Sequence, residues 1–141
     1  MSEKLILTLA LVGGTGKIGP GLAMRWAQAG YGVIIGSRQE EKAQGVADEL
    51  NEKLGIETIQ GMENSEAVAN ADIAVLTVKQ DAHEPTVKAL EDVLRGKIVV
   101  DTTARVDFRD PRPPEAPSAA RFAQDELGPE TQVVAAFQTV P

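Results

Sequence analysis

The stretch Leu7-Thr8-Leu9-Ala10-Leu11-Val12-Gly13-Gly14-Thr15-Gly16-Lys17-Ile18-Gly19 decides the fold. With Leu5 and Ile6 ahead of it, its first half is an almost unbroken apolar run over residues 4–12. Such a run predicts a strand buried on both faces, as in a parallel sheet. Beyond the glycines, Ile18, Leu22, Trp26 and Ala29 recur at helical spacing until Gly30, predicting a helix over 16–29. Gly14-x-Gly16-x-x-Gly19 therefore sits between a buried first strand and an opening helix. Taken alone the pattern is weak, because glycines also mark ordinary turns. In this context it has a mechanism. Glycines let the backbone turn tightly and approach a pyrophosphate, and the helix N-terminus offers N–H groups and the positive end of its dipole.

Working outward, strands are expected over 33–35, 57–60 (weakly), 72–78, 97–101 and 133–137. Helices are expected over 40–54, 66–69 and 84–94, with a last one running from an N-cap at Ser118 to Leu127. Four of the eight prolines fall between Pro111 and Pro117, so 102–117 reads as a loop. Strands alternating with helices specify an α/β fold: a Rossmann-type, doubly wound, six-stranded parallel sheet in a three-layer αβα arrangement. The length of 141 residues suits one such dinucleotide-binding domain spanning 1–141. Trp26 and the phenylalanines are expected in its core.

Composition removes other classes. No apolar run approaches the roughly 18 residues that a membrane span needs, and the start has neither a basic n-region nor a small-residue cleavage site. A net charge of −7 opposes general binding to nucleic acid or anionic lipid. With no cysteine and one histidine, no metal site, thiolate nucleophile or Ser-His-Asp triad is expected. A cytoplasmic address follows by elimination.

The end of the second strand chooses the dinucleotide. NAD-selective chains commonly place Asp or Glu there, about 20 residues beyond the glycines, to hold the ribose hydroxyls. Here Gly36-Ser37-Arg38 stands instead, with no carboxylate until Glu40. A hydroxyl and a guanidinium suit a 2′-phosphate, and Lys42 lies one helical turn beyond Arg38. The cofactor read from these residues is NADP; ordinary charges at a helix start are the competing reading. The Tyr-x-x-x-Lys pair of short-chain dehydrogenases is missing, since the only tyrosine is Tyr31 and position 35 is Ile35. No catalytic side chain is assigned. His83 reads as a packing residue ahead of a catalytic one, and Asp101 equally as a turn acid or a ligand contact.

Together these stretches resemble the NADP oxidoreductases that depend on the deazaflavin coenzyme F420. The likeness runs through Gly13–Gly19 with Gly21-Leu22-Ala23, Gly36-Ser37-Arg38 with Glu41-Lys42-Ala43, and Ala71–Val78 with Ala82-His83. It continues through Gly96–Asp101, Ser118-Ala119-Ala120, and Leu127-Gly128-Pro129 to Val133–Phe137 and Val140-Pro141. The resemblance implies hydride transfer between NADP(H) and coenzyme F420 as co-substrate. It implies Gly14, Thr15, Gly16, Lys17, Ile18 and Gly19 at the cofactor phosphates, and Ser37, Arg38 and Lys42 at the 2′-phosphate. Thr77, Val78, Gln80 and Ala104 would border the nicotinamide half, and Gln138, Thr139 and Val140 the deazaflavin. The family commonly has proline at Lys79, a Val-Pro pair near Ala104-Arg105, and in some members histidine at Gln138. It also continues into a helical portion, absent from these 141 residues, that helps form a homodimer. The competing functions are an NADP-dependent imine or ketone reductase and a non-catalytic NADP-binding redox sensor.

The 102–117 loop and the helix after it carry Arg105, Arg109, Arg112 and Arg121. Either Asp107, Asp110 and Glu115 neutralise these arginines locally, or the loop presents them to the anionic tail of F420.

Overall fold

The computed structural model describes residues 6–138. Six strands, β1 (Thr8–Val12), β2 (Gly32–Ser37), β3 (Gln60–Glu63), β4 (Ile73–Leu76), β5 (Ile98–Asp101) and β6 (Gln132–Ala135), form one sheet in the order β3-β2-β1-β4-β5-β6. Every pairing is parallel. The order reverses direction between β1 and β4, which is the switch point of the expected Rossmann-type fold.

Alternation along the strands feeds two cores. Leu9 and Leu11 of β1, Val33 and Ile35 of β2 and Val75 of β4 face α1 (Gly19–Gln28) and α2 (Glu40–Leu54), meeting Ala23, Ala43, Ala47 and Leu50. Ala10, Val12, Ile34, Ala74, Leu76 and Val99 face the other way. That layer is built from α3 (Asn64–Ala69), α4 (Gln80–Ala89), α5 (Glu91–Leu94) and α6 (Ala119–Leu127). No helix among the described residues is long and apolar enough to cross a membrane.

Several boundaries differ from the sequence reading, each for a local reason. The first helix begins at Gly19 and not at 16, because 13–18 is a turn closed by the Gly16 N–H on the Gly13 carbonyl. Pro20 then occupies the first turn, where its missing N–H costs nothing. β3 lies three residues beyond 57–60: the Asn51 amide donates to the Ile59 carbonyl and accepts its N–H, holding that residue off the ladder. β4 stops at Leu76 because the N–H and hydroxyl of Thr77 both turn to the Val12 carbonyl. The 84–94 helix starts four residues early at Gln80, with Asp81 favouring the dipole in its first turn, and is broken at Leu90. Pro85 therefore lies inside α4, where it removes one hydrogen bond, and not at its start. β6 runs over 132–135 and ends before Phe137, whose φ of 68° is left-handed. Phe108 is not core at all: it is 98% exposed on the long loop.

Two glycines test this packing with opposite signs. A Cβ at Gly61 would lie 2.4 Å from the Ala43 carbonyl carbon of α2, backbone that cannot move aside, whereas one at Gly45 on α2 meets nothing. Gly61→Ala is expected to cost about 1–3 kcal/mol, and Gly45→Ala to add about 0.5–1 kcal/mol, both read by urea denaturation.

Candidate functional site

The carboxyl ends of the strands converge on the β1–β4 switch point, and the glycine loop occupies its centre. The Gly14 N–H is shared between the Leu11 carbonyl at 3.0 Å and the Gly36 carbonyl at 2.9 Å. A Cβ at Gly19 would lie 2.3 Å from the Gly14 carbonyl oxygen, so the helix start is pressed directly on the loop. Gly16 differs: a Cβ there would come no closer than 3.6 Å to anything, so no contact within the protein requires glycine. Its backbone faces open space, as a ligand making a close approach needs. Among the described residues, no acceptor meets the N–H groups of Thr15, Lys17 or Ile18. Helix α1 has no side-chain cap and no acid in its first turn, leaving its positive end available to an anion.

Next to the loop, Ser37 closes β2 with its side chain buried. Its hydroxyl accepts the Gln39 N–H at 3.2 Å, so the hydroxyl hydrogen remains free to donate. Arg38 and Lys42 are exposed and, among the described residues, enter no ion pair. Lys17 on the glycine loop is exposed and unpaired among the described residues as well, and no carboxylate closes β2. Asn64, which the sequence reading did not single out, fixes this half. Its Oδ1 accepts the Gly13 N–H at 3.1 Å and occupies the space a Cβ at Gly36 would need. Gly13 just past β1 and Gly36 on β2 were the available signal for a side chain wedged between them.

Across the switch point the expected residues are placed differently. The buried Thr77 hydroxyl donates to the Val12 carbonyl at 2.8 Å, and the Thr102 hydroxyl donates in the same way to the Leu76 carbonyl. Val78 packs on Gly13. Gln80 does not face the switch point with a free amide: its Oε1 accepts the Val106 N–H at 2.6 Å and its Nε2 donates to the Val106 carbonyl. Ala104 is half-buried just beyond β5. The Gln138 amide donates to the Asp101 carbonyl at 2.9 Å, and Thr139 and Val140 lie outside the described residues. His83 and Asp101, 18 positions apart, meet at 2.6 Å through Nε2 and Oδ2.

The arginines of the long loop are paired. Arg105 bonds to Glu84 at 2.7 Å and lies over the Phe122 ring. Arg109 contacts Asp107, Arg112 forks onto Asp110, and Arg121 bonds to Asp125. Local neutralisation is the reading these pairs favour, with Glu84 and Asp125 taking part and Glu115 in none of them. The Arg112 side chain, and then its backbone N–H, hold the Asp110 carboxyl below its usual range, and Asp110 raises Arg112 in turn.

Residues 8–105 match the family described as NADP oxidoreductase, coenzyme F420-dependent. The F420-dependent NADP reductase of Methanothermobacter thermautotrophicus is 40% identical over 109 residues, covering 76% of this chain and 47% of that protein. The enzyme of the same name from Methanocaldococcus jannaschii is 38% identical over 149 aligned positions, covering 95% of this chain and 64% of that protein. The chain therefore spans about half to two thirds of the curated relatives it matches. Among solved structures, a pyrroline-5-carboxylate reductase from Coxiella burnetii superposes with a TM-score of 0.67 at 20% identity, covering 93% of this chain and 43% of that one. A lactate dehydrogenase from Eimeria maxima gives 0.65 at 18% identity, covering 97% and 45%. These two likenesses establish the fold.

Asn64→Ala removes the acceptor of the Gly13 N–H and is expected to cost about 1–3 kcal/mol, measurable by thermal or urea unfolding. Carbon-detected titration should place Asp110 below the ordinary aspartate value of about 3.9, and Arg112→Gln should bring it part of the way back, the backbone N–H of residue 112 still donating to it. The pair's stabilisation, small at an exposed site, is present above the unfolded value and is lost as pH falls through the lowered one.

Proposed function

The chain belongs to the family of coenzyme F420-dependent NADP oxidoreductases, and on that premise we propose that it is the NADP-binding part of an enzyme moving a hydride between NADP(H) and coenzyme F420. The observation that carries the reading is the end of β2, where Ser37 and Arg38 stand and no carboxylate closes the strand. The unmet N–H groups of Thr15, Lys17 and Ile18 and the open space at Gly16 suit a pyrophosphate. Beside them Ser37, Arg38 and Lys42 offer donors and positive charge to a 2′-phosphate, where an NAD-selective chain would place a carboxylate.

When bound, NADPH supplies a hydride that F420 accepts together with a proton from solvent. The chain's own residues then bind and orient. Gly14 and Gly19 set the loop against β1 and β2, Lys17 and Arg38 hold the phosphate charge, and Val78 and Ala104 border the nicotinamide side. Gln138, with Thr139 and Val140, is assigned to the deazaflavin side. Hydride transfer needs alignment more than side-chain acid–base work, and positioning alone can supply a large part of the rate. The hydroxyls of Thr77 and Thr102, already committed to backbone carbonyls, fit that division of labour. A cytoplasmic address, suggested by the cysteine-free sequence, and a homodimer, implied by the family resemblance, belong to the same proposal.

Arg38→Ala is expected to weaken NADPH binding by about 1.5–3 kcal/mol, the range for a charged hydrogen bond, and to leave NADH nearly unchanged. Titration calorimetry with both nucleotides checks this; equal losses would remove Arg38 from the 2′-phosphate site.

A further inference from the structure

His83 of α4 and Asp101 of β5 form a hydrogen-bonded couple in which both side chains are fully buried, at 1% and 0% exposure. A buried pair of this kind adds little net stability over well-packed apolar residues, so packing alone gives no reason for it. Its connections do. Asp101 Oδ2 meets His83 Nε2 at 2.6 Å, and Oδ1 accepts the Thr103 N–H at 3.0 Å. The Asp101 backbone carbonyl accepts the Ala136 N–H at 3.1 Å and the Gln138 amide at 2.9 Å. One residue thus holds both the exit of β5, which leads to Ala104, and the exit of β6, which leads to Gln138.

We infer that His83 is a positioning residue: its Nε2–H orients Asp101, and Asp101 sets the β5 and β6 exits, the two walls between which the hydride would cross. The tautomer follows from the surroundings. Nε2 must carry the hydrogen to donate to the carboxylate, while Nδ1 is buried with no partner, so a hydrogen there would be an unmet donor. The Phe122 ring stands edge-on 6.1 Å from the imidazole, an apolar neighbour. The kinetic part of this inference rests on the function proposed above; the structural part does not.

The chain has a single histidine, so its ring signals in a 15N spectrum are unambiguous. The expected spectrum places the hydrogen of the neutral ring on Nε2. In the natural full-length protein, His83→Leu is expected to speed amide exchange at Thr103 and Ala136. It should also lower kcat for F420-dependent NADP turnover at least about tenfold, since misplacement by about 1 Å can cost roughly 100-fold. The KM for NADPH should stay within about twofold. His83→Gln, whose amide can still donate to Asp101, should recover both exchange and kcat. A neutral ring carrying its hydrogen on Nδ1 would overturn the inference. So would unchanged exchange and kcat in His83→Leu, or equal losses in Leu and Gln, which would mark a packing role. If His83→Leu does not fold, the wild-type tautomer and the Gln variant decide. A wild type without any F420-dependent turnover would count against the proposed function instead, leaving the tautomer and exchange results to judge His83.

Discussion

The Gly14 N–H, bonded at once to the Leu11 and Gly36 carbonyls, is the interaction on which the rest depends. It ties the exit of β1 to the end of β2 at the level where the sheet stops. With Gly19 pressed on Gly14, the loop has little freedom left, and the N–H groups of Thr15, Lys17 and Ile18 meet no acceptor among the described residues. The spacing between the glycine loop and the Ser37-Arg38 corner is therefore set by backbone contacts and not by flexible side chains. Asn64 completes the arrangement by reaching from α3 to the Gly13 N–H. Glycines at 13, 14, 19 and 36 serve the protein's own packing, whereas Gly16 leaves room for something else.

The other half of the edge is built by a repeated latch. Thr77 reaches back to Val12, Thr102 to Leu76, and Gln138 to Asp101, so each strand's exit is fastened to the end of its neighbour. Side chains that might have done acid–base chemistry are spent on geometry. Such an edge is rigid and nearly inert, which suits a transfer between two cofactors that carry the reactive atoms themselves. The 102–117 loop is fastened at its base by the Gln80 clamp on Val106 and by Arg105 between Glu84 and Phe122, while Phe108 projects into solvent farther along.

Much of this was legible in the chain. The apolar run through Val12, the glycines after it and the regular return of strands specify the parallel sheet, and the lack of a carboxylate between Ser37 and Glu40 is the ground for the proposed 2′-phosphate corner. What was not legible came from contacts distant in sequence. The position of β3 depends on Asn51 gripping Ile59 from the end of α2, and the start of α4 overrides the usual place of proline at Pro85. Gln80 looked available until Val106, 26 residues later, folded onto it. Periodicity and composition carry no information on such pairs, and His83 with Asp101 is another case. The arginines of the loop show the converse: nearby acids in the sequence did supply partners, but Glu84 and Asp125 came from helices on either side.

The most direct test of the central claim is an amide-resolved NMR titration of this chain with NADP+ and, separately, NAD+. The account predicts saturable shifts at Thr15, Lys17 and Ile18 with both nucleotides, and shifts at Ser37, Arg38 and Lys42 that are strong only with NADP+. Saturation at a different surface, or identical responses around Ser37 and Arg38 to the two nucleotides, would contradict it.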